Sequence, residues 1–447
     1  MTHYRLAERH LLWIVLMLGL NCGWTYVAAA TTVYPTGSFP LDVQNVQAAI
    51  DLGGNVRLKA TNTAGQPTAF NFGPPDPVTG TGVMLTTGVR LLGEQVGPHR
   101  TTIQGGYVPI LGFVPVKTTI QGIDFDGPLD AAIVLRSSTG SDIIGNHIKG
   151  VVPFLLPYGF TETEGILVSG FDDPMNAITG RIRVTGNIIE ISAGDFTNGL
   201  QLDEVSADIE VSGNSVQFLQ STGVIQTNGI LVFGSHRNAT VAKNVVTMGP
   251  GDPAVYPSGI FVGGHPEARY TIVGNTVITQ HPNSDGMDIV GFRSSGPTRF
   301  AIVAGNHVLI HSLISTSGGI VFFGGVNNSL IFANKIEGSS GNAIQILGLD
   351  STLTADSNLA LANDISQLSA SDADVFFGPD STNNLYAGHC NTYVDLGVGN
   401  RILCGVSVGG SSANAKPGGS RPWYTVDVLA DTVGRARLEA MRSRMSR

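Results

Sequence analysis

Val211-Ser212-Gly213-Asn214-Ser215-Val216 decides how this 447-residue chain is read, because the phrase returns. Val184-Thr185-Gly186-Asn187-Ile188-Ile189 precedes it, and Ile272-Val273-Gly274-Asn275-Thr276-Val277 and Val303-Ala304-Gly305-Asn306-His307-Val308 follow. Looser copies end at Asn146, Asn244, Asn334 and Asn363. From Asn187 to Asn363 the steps are 27, 30, 31, 31, 28 and 29 residues. Short β-runs at a period of that size, with no helical stripe between them, predict a solenoid. A turn between two sheets leaves backbone groups that no ladder satisfies, and a stacked amide can serve them. Asparagine also tolerates the left-handed conformation such a corner needs. These asparagines are therefore read as structural.

A second phrase opens on a small residue: Gly165-Ile166-Leu167-Val168, Gly199-Leu200-Gln201-Leu202, Gly229-Ile230-Leu231-Val232 and Gly259-Ile260-Phe261-Val262. Gly286-Met287-Asp288-Ile289, Gly319-Ile320-Val321-Phe322 and Ala343-Ile344-Gln345-Ile346 continue it. Period-2 alternation sends the first and third residues after the glycine inward, as two aliphatic columns with about 4.8 Å between coils. The middle residues face outward, and two places further on so do Ser169, Asp203, Phe233, Gly263, Val290, Phe323 and Leu347. Leu231, Phe233, Phe261, Val321 and Phe323 are too apolar for bare solvent. They call for a cover: the apolar loop at 151–160, a second subunit through oligomerisation, or the apolar face of a sugar.

The 58 glycines and 13% charged residues fit many tight turns and buried strand faces. A hydrophobic share of 42% argues against disorder. Residues 1–30 read as a signal peptide: Arg5, Arg9 and His10 precede an apolar run at 11–20, and Ala28-Ala29-Ala30 offers a cleavage site. The run is short for a membrane span, so no stable span is expected after cleavage, with a retained anchor as the alternative. A secreted, periplasmic or cell-surface location follows. Cys390 and Cys404 then remain, and an oxidising compartment favours a disulfide over a two-cysteine metal site.

Formal charge is −9, or −10 without residues 1–30. It is −14 over 31–434, because the last 13 residues hold five arginines against Glu439. Such a body repels nucleic acid and meets an anionic polymer only at basic patches or through cations. Val43, Val46, Gln47 and Ile50 predict a short helix over 42–50, placed to cap the first coil. Residues 62–82 read as a long loop. The β-domain spans 31–404, 405–422 is a Gly/Ser-rich linker, and 423–447 is a basic helical tail with Leu438, Met441 and Met445 on one side. That tail has three readings: a cap on the last coil, a contact for a partner or anionic surface, or a solvated end.

These phrases, with Val46-Gln47-Ala48-Ala49-Ile50 and Val89-Arg90-Leu91-Leu92-Gly93, resemble the right-handed parallel β-helix repeats of the pectin-lyase-like superfamily across residues 40–405. The resemblance implies an all-β, right-handed parallel β-helix with an N-terminal capping helix. It implies a polysaccharide or glycan as partner, since the superfamily holds polysaccharide lyases, polygalacturonase-type hydrolases and uronan epimerases. It also holds adhesins and accessory proteins without chemistry, so a non-catalytic glycan-binding or scaffold role stands beside the enzymatic one.

Asp288 stands between Phe261 and Val321 in its column, a setting that raises a carboxyl's pKa and suits a general acid. Asn283-Ser284-Asp285-Gly286 resembles the Asn-Thr-Asp-Gly motif of polygalacturonase-like hydrolases, which maps a catalytic carboxylate onto Asp285. The paired-Asp, Gly-His-Gly and following Arg-x-Lys parts of that pattern are missing. Loops aligned after the glycines bring His236, His265 and Arg293 to one rim, a local basic strip suited to a carboxylated sugar. Phe261 and Phe233 complete the expected substrate contacts. No metal site is expected; calcium stays open only because Asp203-Glu204 could supply oxygen ligands with loop carbonyls.

Overall fold

A computed structural model describes residues 30–76, 82–86, 88–112, 117–136, 140–155, 161–170, 180–192, 194–203, 207–219, 226–235, 237–252, 256–292, 296–312 and 317–404. The signal peptide apart from Ala30, the linker, the basic tail, Glu204, His236 and Arg293 lie outside the described residues.

Each coil passes through three parallel ladders. In one coil Asp208–Ser212 joins the first, Ser215–Phe218 the second and Gln226–Phe233 the third. Ala239–Ala242 then lies on Asp208–Ser212, with Val241 beside Val211. The first ladder is a fourteen-stranded sheet running from Thr31–Val33 to Arg401–Cys404. The second and third join into one 22-stranded sheet because Lys335–Leu347 and Asp364–Phe377 run through both. The chain is a parallel β-solenoid.

Both inward columns of the third ladder are in register. Ile166, Leu200, Ile230, Ile260, Met287, Ile320 and Ile344 form one, and Val168, Leu202, Val232, Val262, Ile289, Phe322 and Ile346 the other. All are fully buried. Burial of each contributes about 1.5–3 kcal/mol, so the solenoid is held by repetition and not by one nucleus. The opening glycine of each phrase is fixed by sterics. A Cβ on Gly229 would stand 2.2 Å from Val246 Cγ1 and 2.5 Å from the Gly259 carbonyl oxygen, and Gly199, Gly259 and Gly286 meet Val216, Val277 and Val308 likewise.

The asparagines from Asn146 to Asn363 form one ladder. Each Nδ2 donates to the next Oδ1 at 2.9–3.1 Å, and that Oδ1 also accepts the backbone N–H of the preceding asparagine. The left-handed residue is not the asparagine but the one before it. Gly213, Gly274 and Gly305 have φ of 64°, 62° and 60°, and Lys243, Ala333 and Ala362 are forced to 56°, 51° and 53°. Ala333→Gly is therefore expected to raise stability by about 0.5–1 kcal/mol, since the left-handed penalty exceeds the added chain entropy. A urea midpoint that falls would refute this.

Helix α1 (Leu41–Asp51) buries Val46, Ala49 and Ile50 in the main core. Its buried Asp42 accepts the Thr36 N–H at 2.7 Å and the Asn71 N–H at 2.8 Å, tying the lead strand's exit to the segment after the helix. Within the expected loop at 62–82, Phe70–Asn71 is a strand pairing with Thr102–Gln104, and Phe70 and Phe72 enter the core. Two aromatic side chains spaced by two outweigh the Pro- and Gly-rich flanks. Cys390 and Cys404 are bonded, with Cα atoms 5.2 Å apart. Among the described residues no helix is long and apolar enough to cross a membrane.

Candidate functional site

The third ladder bends at its glycines, so the residue before each glycine shares the outer face with the residue two after it. Glu164, Asn198, Asn228, Ser258 and Asp285 occupy the first of these positions in register. Leu167, Gln201, Leu231, Phe261, Asp288, Val321 and Gln345 occupy the second.

Asp285 and Asp288 are 4% and 1% exposed. The Ser258 hydroxyl donates to Asp288 Oδ2, and Asp285 Oδ1 accepts the Gly318 N–H at 2.5 Å. Ser258 belongs to the preceding coil and Gly318 to the following one, so the two carboxylates stitch three coils together. The expected neighbours of Asp288 are in place, Phe261 on one side and Val321 on the other.

Leu231, Phe261, Val290, Val321, Phe323 and Leu347 form a second apolar cluster outside the solenoid core, with Phe292, Leu349 and Leu353 packed into it. Phe233 lies at its edge, with ring centroids 6.2 Å from Phe261 and 5.8 Å from Phe292. The expected cover was the loop at 151–160. Its described part is engaged elsewhere, Val151 in the main core and Phe154 at 5.6 Å from Tyr107. Phe292, Leu349 and Leu353 come just after the same ladder, so they reach its outer face without a crossing. Most of this outward column is thus buried within the chain, with Phe261 5% exposed and Phe233 partly buried.

Of the expected basic rim, His265 is half-buried and its Nδ1 accepts the Glu267 N–H at 3.2 Å. His281 is fully buried, and burial pulls its pKa down to about 4, so it is neutral at pH 7. Its Nδ1 accepts the Asn283 N–H at 3.1 Å. Among the described residues no three His, Cys, Asp or Glu side chains gather closely enough to hold a metal ion.

Towards the N-terminal coils the same outer face combines a small apolar cluster around Val134 and Leu167 with polar residues, whose hydrogen-bond network sequence reasoning missed. Arg136, Ser169 and Asp203 stack in one column. A chain of hydrogen bonds runs from Asn228 Nδ2 to Asn198 Oδ1 at 2.9 Å, from Asn198 Nδ2 to Gln201 Oε1 at 2.6 Å, and from Gln201 Nε2 to Asp203 Oδ2 at 2.7 Å. Tyr107 packs against the apolar cluster that holds Leu167, the neighbour of Gln201, and Phe154 pairs beside Glu162. The available signal was the polar residue before six of the seven opening small residues: Glu164, Asn198, Asn228, Ser258, Asp285 and, before Ala343, Asn342, with Gly318 the exception.

No protein-family model matches the chain, and no curated protein matches its sequence. Among solved structures, the Dettilon tailspike protein (gp208) is similar with a TM-score of 0.44 and 15% identity, covering 83% of this chain and 68% of that one. PfbA, a surface adhesin of Streptococcus pneumoniae, gives 0.41 and 12% over 80% of this chain and 88% of its own. DFA-IIIase from Arthrobacter chlorophenolicus A6, without its lid, gives 0.39 and 13% over 86% and 98%.

Proposed function

We propose that this protein is an exported, non-catalytic scaffold that binds a glycan along the outer face of its third ladder. One observation carries the reading: Asp285 and Asp288, the carboxylates best placed for acid–base work, are buried, and each holds a hydrogen bond to a neighbouring coil. A glycosidase needs two carboxyl groups about 5–10 Å apart around an open substrate cleft, and these two are 4% and 1% exposed.

Binding chemistry lies instead at the polar end. The Asn228–Asn198–Gln201–Asp203 chain is itself buried, so it is assigned to holding this part of the face in shape, and the contacts to sugar are assigned to the half-buried Tyr107 and Phe154 rings. His265, with His236 and Arg293 in matching loop positions, is assigned to one rim, where it would favour a carboxylated sugar. Export rests on the pattern in residues 1–30 and on the Cys390–Cys404 bond, which persists in oxidising compartments. The winding is taken as right-handed, as about 98% of parallel crossovers are. Helix α1 is assigned to closing the N-terminal end.

The test is a panel of uronic-acid and neutral polysaccharides, with and without calcium, read for both retention in affinity electrophoresis and bond cleavage. Retention without cleavage is expected, lost in Gln201→Leu and kept in Asp288→Asn. Cleavage that disappears in Asp288→Asn would return that residue to a catalytic role and end the scaffold reading.

A further inference from the structure

The outer face of the first ladder changes character along the solenoid. Its early coils carry charge: Arg183 grips Asp142 through two hydrogen bonds of 2.6 and 2.7 Å, and Arg181 pairs with Glu210. Its late coils carry two apolar columns. Ile302, Leu330, Leu359 and Leu385 stand in register in one, and Ala304, Phe332, Leu361, Ala387 and Leu403 in the other. Ile302, Phe332, Leu359 and Leu403 are 41%, 43%, 41% and 53% exposed, so no described segment covers them. A contiguous apolar strip of this kind marks a contact surface.

We propose that the occupant is the chain's own basic tail, residues 435–447, lying as a helix along these columns. Three features favour it. First, the last described strand, Arg401–Cys404, is the end strand of this same face, so the chain leaves the solenoid beside the strip. The intervening 405–434 can span up to about 100 Å, far more than the distance to be crossed. Second, the sizes agree: thirteen helical residues extend about 20 Å, and five stacked strands span about 19 Å.

Third, the charges match. At about 100° per residue, Leu438, Met441 and Met445 make one stripe, with Arg435 and Arg442 on one flank and Arg437 and Arg444 on the other. Along its middle coils the strip is bordered by Asp356 beyond the Asn358 corner and Asp364 beyond the Asn363 corner, one carboxylate on each side, while Lys335 stands beside Asp364 and Arg401 ends the first column. A second copy of the chain fits less well. The two columns cover on the order of 300 Å², below the ~800 Å² per partner of a stable complex. A tethered segment needs less, because its effective concentration reaches the millimolar range.

Hydrogen exchange on the full-length protein tests this, together with limited trypsin digestion at Arg435, Arg437, Arg442 and Arg444. Amides of 435–447 are expected to exchange at least tenfold more slowly than a random coil. That protection should vanish in Phe332→Thr/Leu359→Thr, which alters the face. It should vanish equally in Leu438→Ser/Met441→Ser, which leaves the solenoid untouched and keeps the test valid if the first variant folds poorly. Coil-like exchange in the wild type would overturn the proposal, as would protection that survives the tail variant. Sedimentation showing a dimer that the face variant abolishes would give the strip to a second copy and overturn it equally.

Discussion

Asn244→Ala is expected to destabilise the solenoid by on the order of 4 kcal/mol, far beyond an ordinary surface substitution. The Asn244 side chain is fully buried and makes four hydrogen bonds. Its Nδ2 donates to the Val211 carbonyl at 3.0 Å and to Asn275 Oδ1 at 2.9 Å. Its Oδ1 accepts the Asn214 backbone N–H at 3.0 Å and Asn214 Nδ2 at 2.9 Å. Truncation leaves two backbone groups and two amides short of partners, at about 1–3 kcal/mol each and less than additively.

Asn400→Ala provides the control. Asn400 likewise accepts from the Asn384 backbone and side chain, but it is half-buried at the end of its ladder, where solvent can stand in. Its cost is expected to be about 1 kcal/mol. Asn244→Asp should remain costly at neutral pH, since a carboxylate can accept from Asn214 but has no proton for Val211 or Asn275. Urea unfolding decides: a midpoint for Asn244→Ala within 1 kcal/mol of wild type would mean the ladder decorates the corner without holding it.

The same ladder shows how far the sequence reaches. The regular steps between Asn187 and Asn363 made the stacking legible, because every coil closes with nearly the same number of residues. A second ladder, Asn358–Asn384–Asn400, was invisible. Its members are bonded at 3.0 Å like the others, but their separations of 26 and 16 residues break the period. The placement of Asp288 between Phe261 and Val321 followed from register alone. That Asp288 would be buried, and that Phe292, Leu349 and Leu353 would join the outward apolar cluster, depends on where irregular loops return, and period-2 arithmetic is silent on that. Likewise Gln201 could be assigned to an outward column, but its bonds to Asn198 and Asp203 come from the bend at Gly199, which brings the residue before the glycine onto the same face.

Two kinds of glycine punctuate each coil, and they should respond to substitution to different degrees and for different reasons. Gly213 has φ of 64° and nothing within 4 Å of where a Cβ would sit. Gly213→Ala is then expected to cost only the left-handed penalty of about 1–2 kcal/mol. Gly229 has no such φ, yet its Cβ position is already occupied by Val246 Cγ1 at 2.2 Å and the Gly259 carbonyl at 2.5 Å. Gly229→Ala should cost about 3 kcal/mol or more through overpacking, and Gly229→Val should yield no folded protein. Adding Val246→Ala to Gly229→Ala removes the side-chain clash but not the backbone one. The pair should therefore recover about 1–2 kcal/mol relative to the sum of the single changes, and no more. Full recovery would mean the valine alone dictates glycine here. No recovery would mean the close stacking of successive Gly carbonyls sets the choice, and with it the 4.8 Å rise of the whole third ladder.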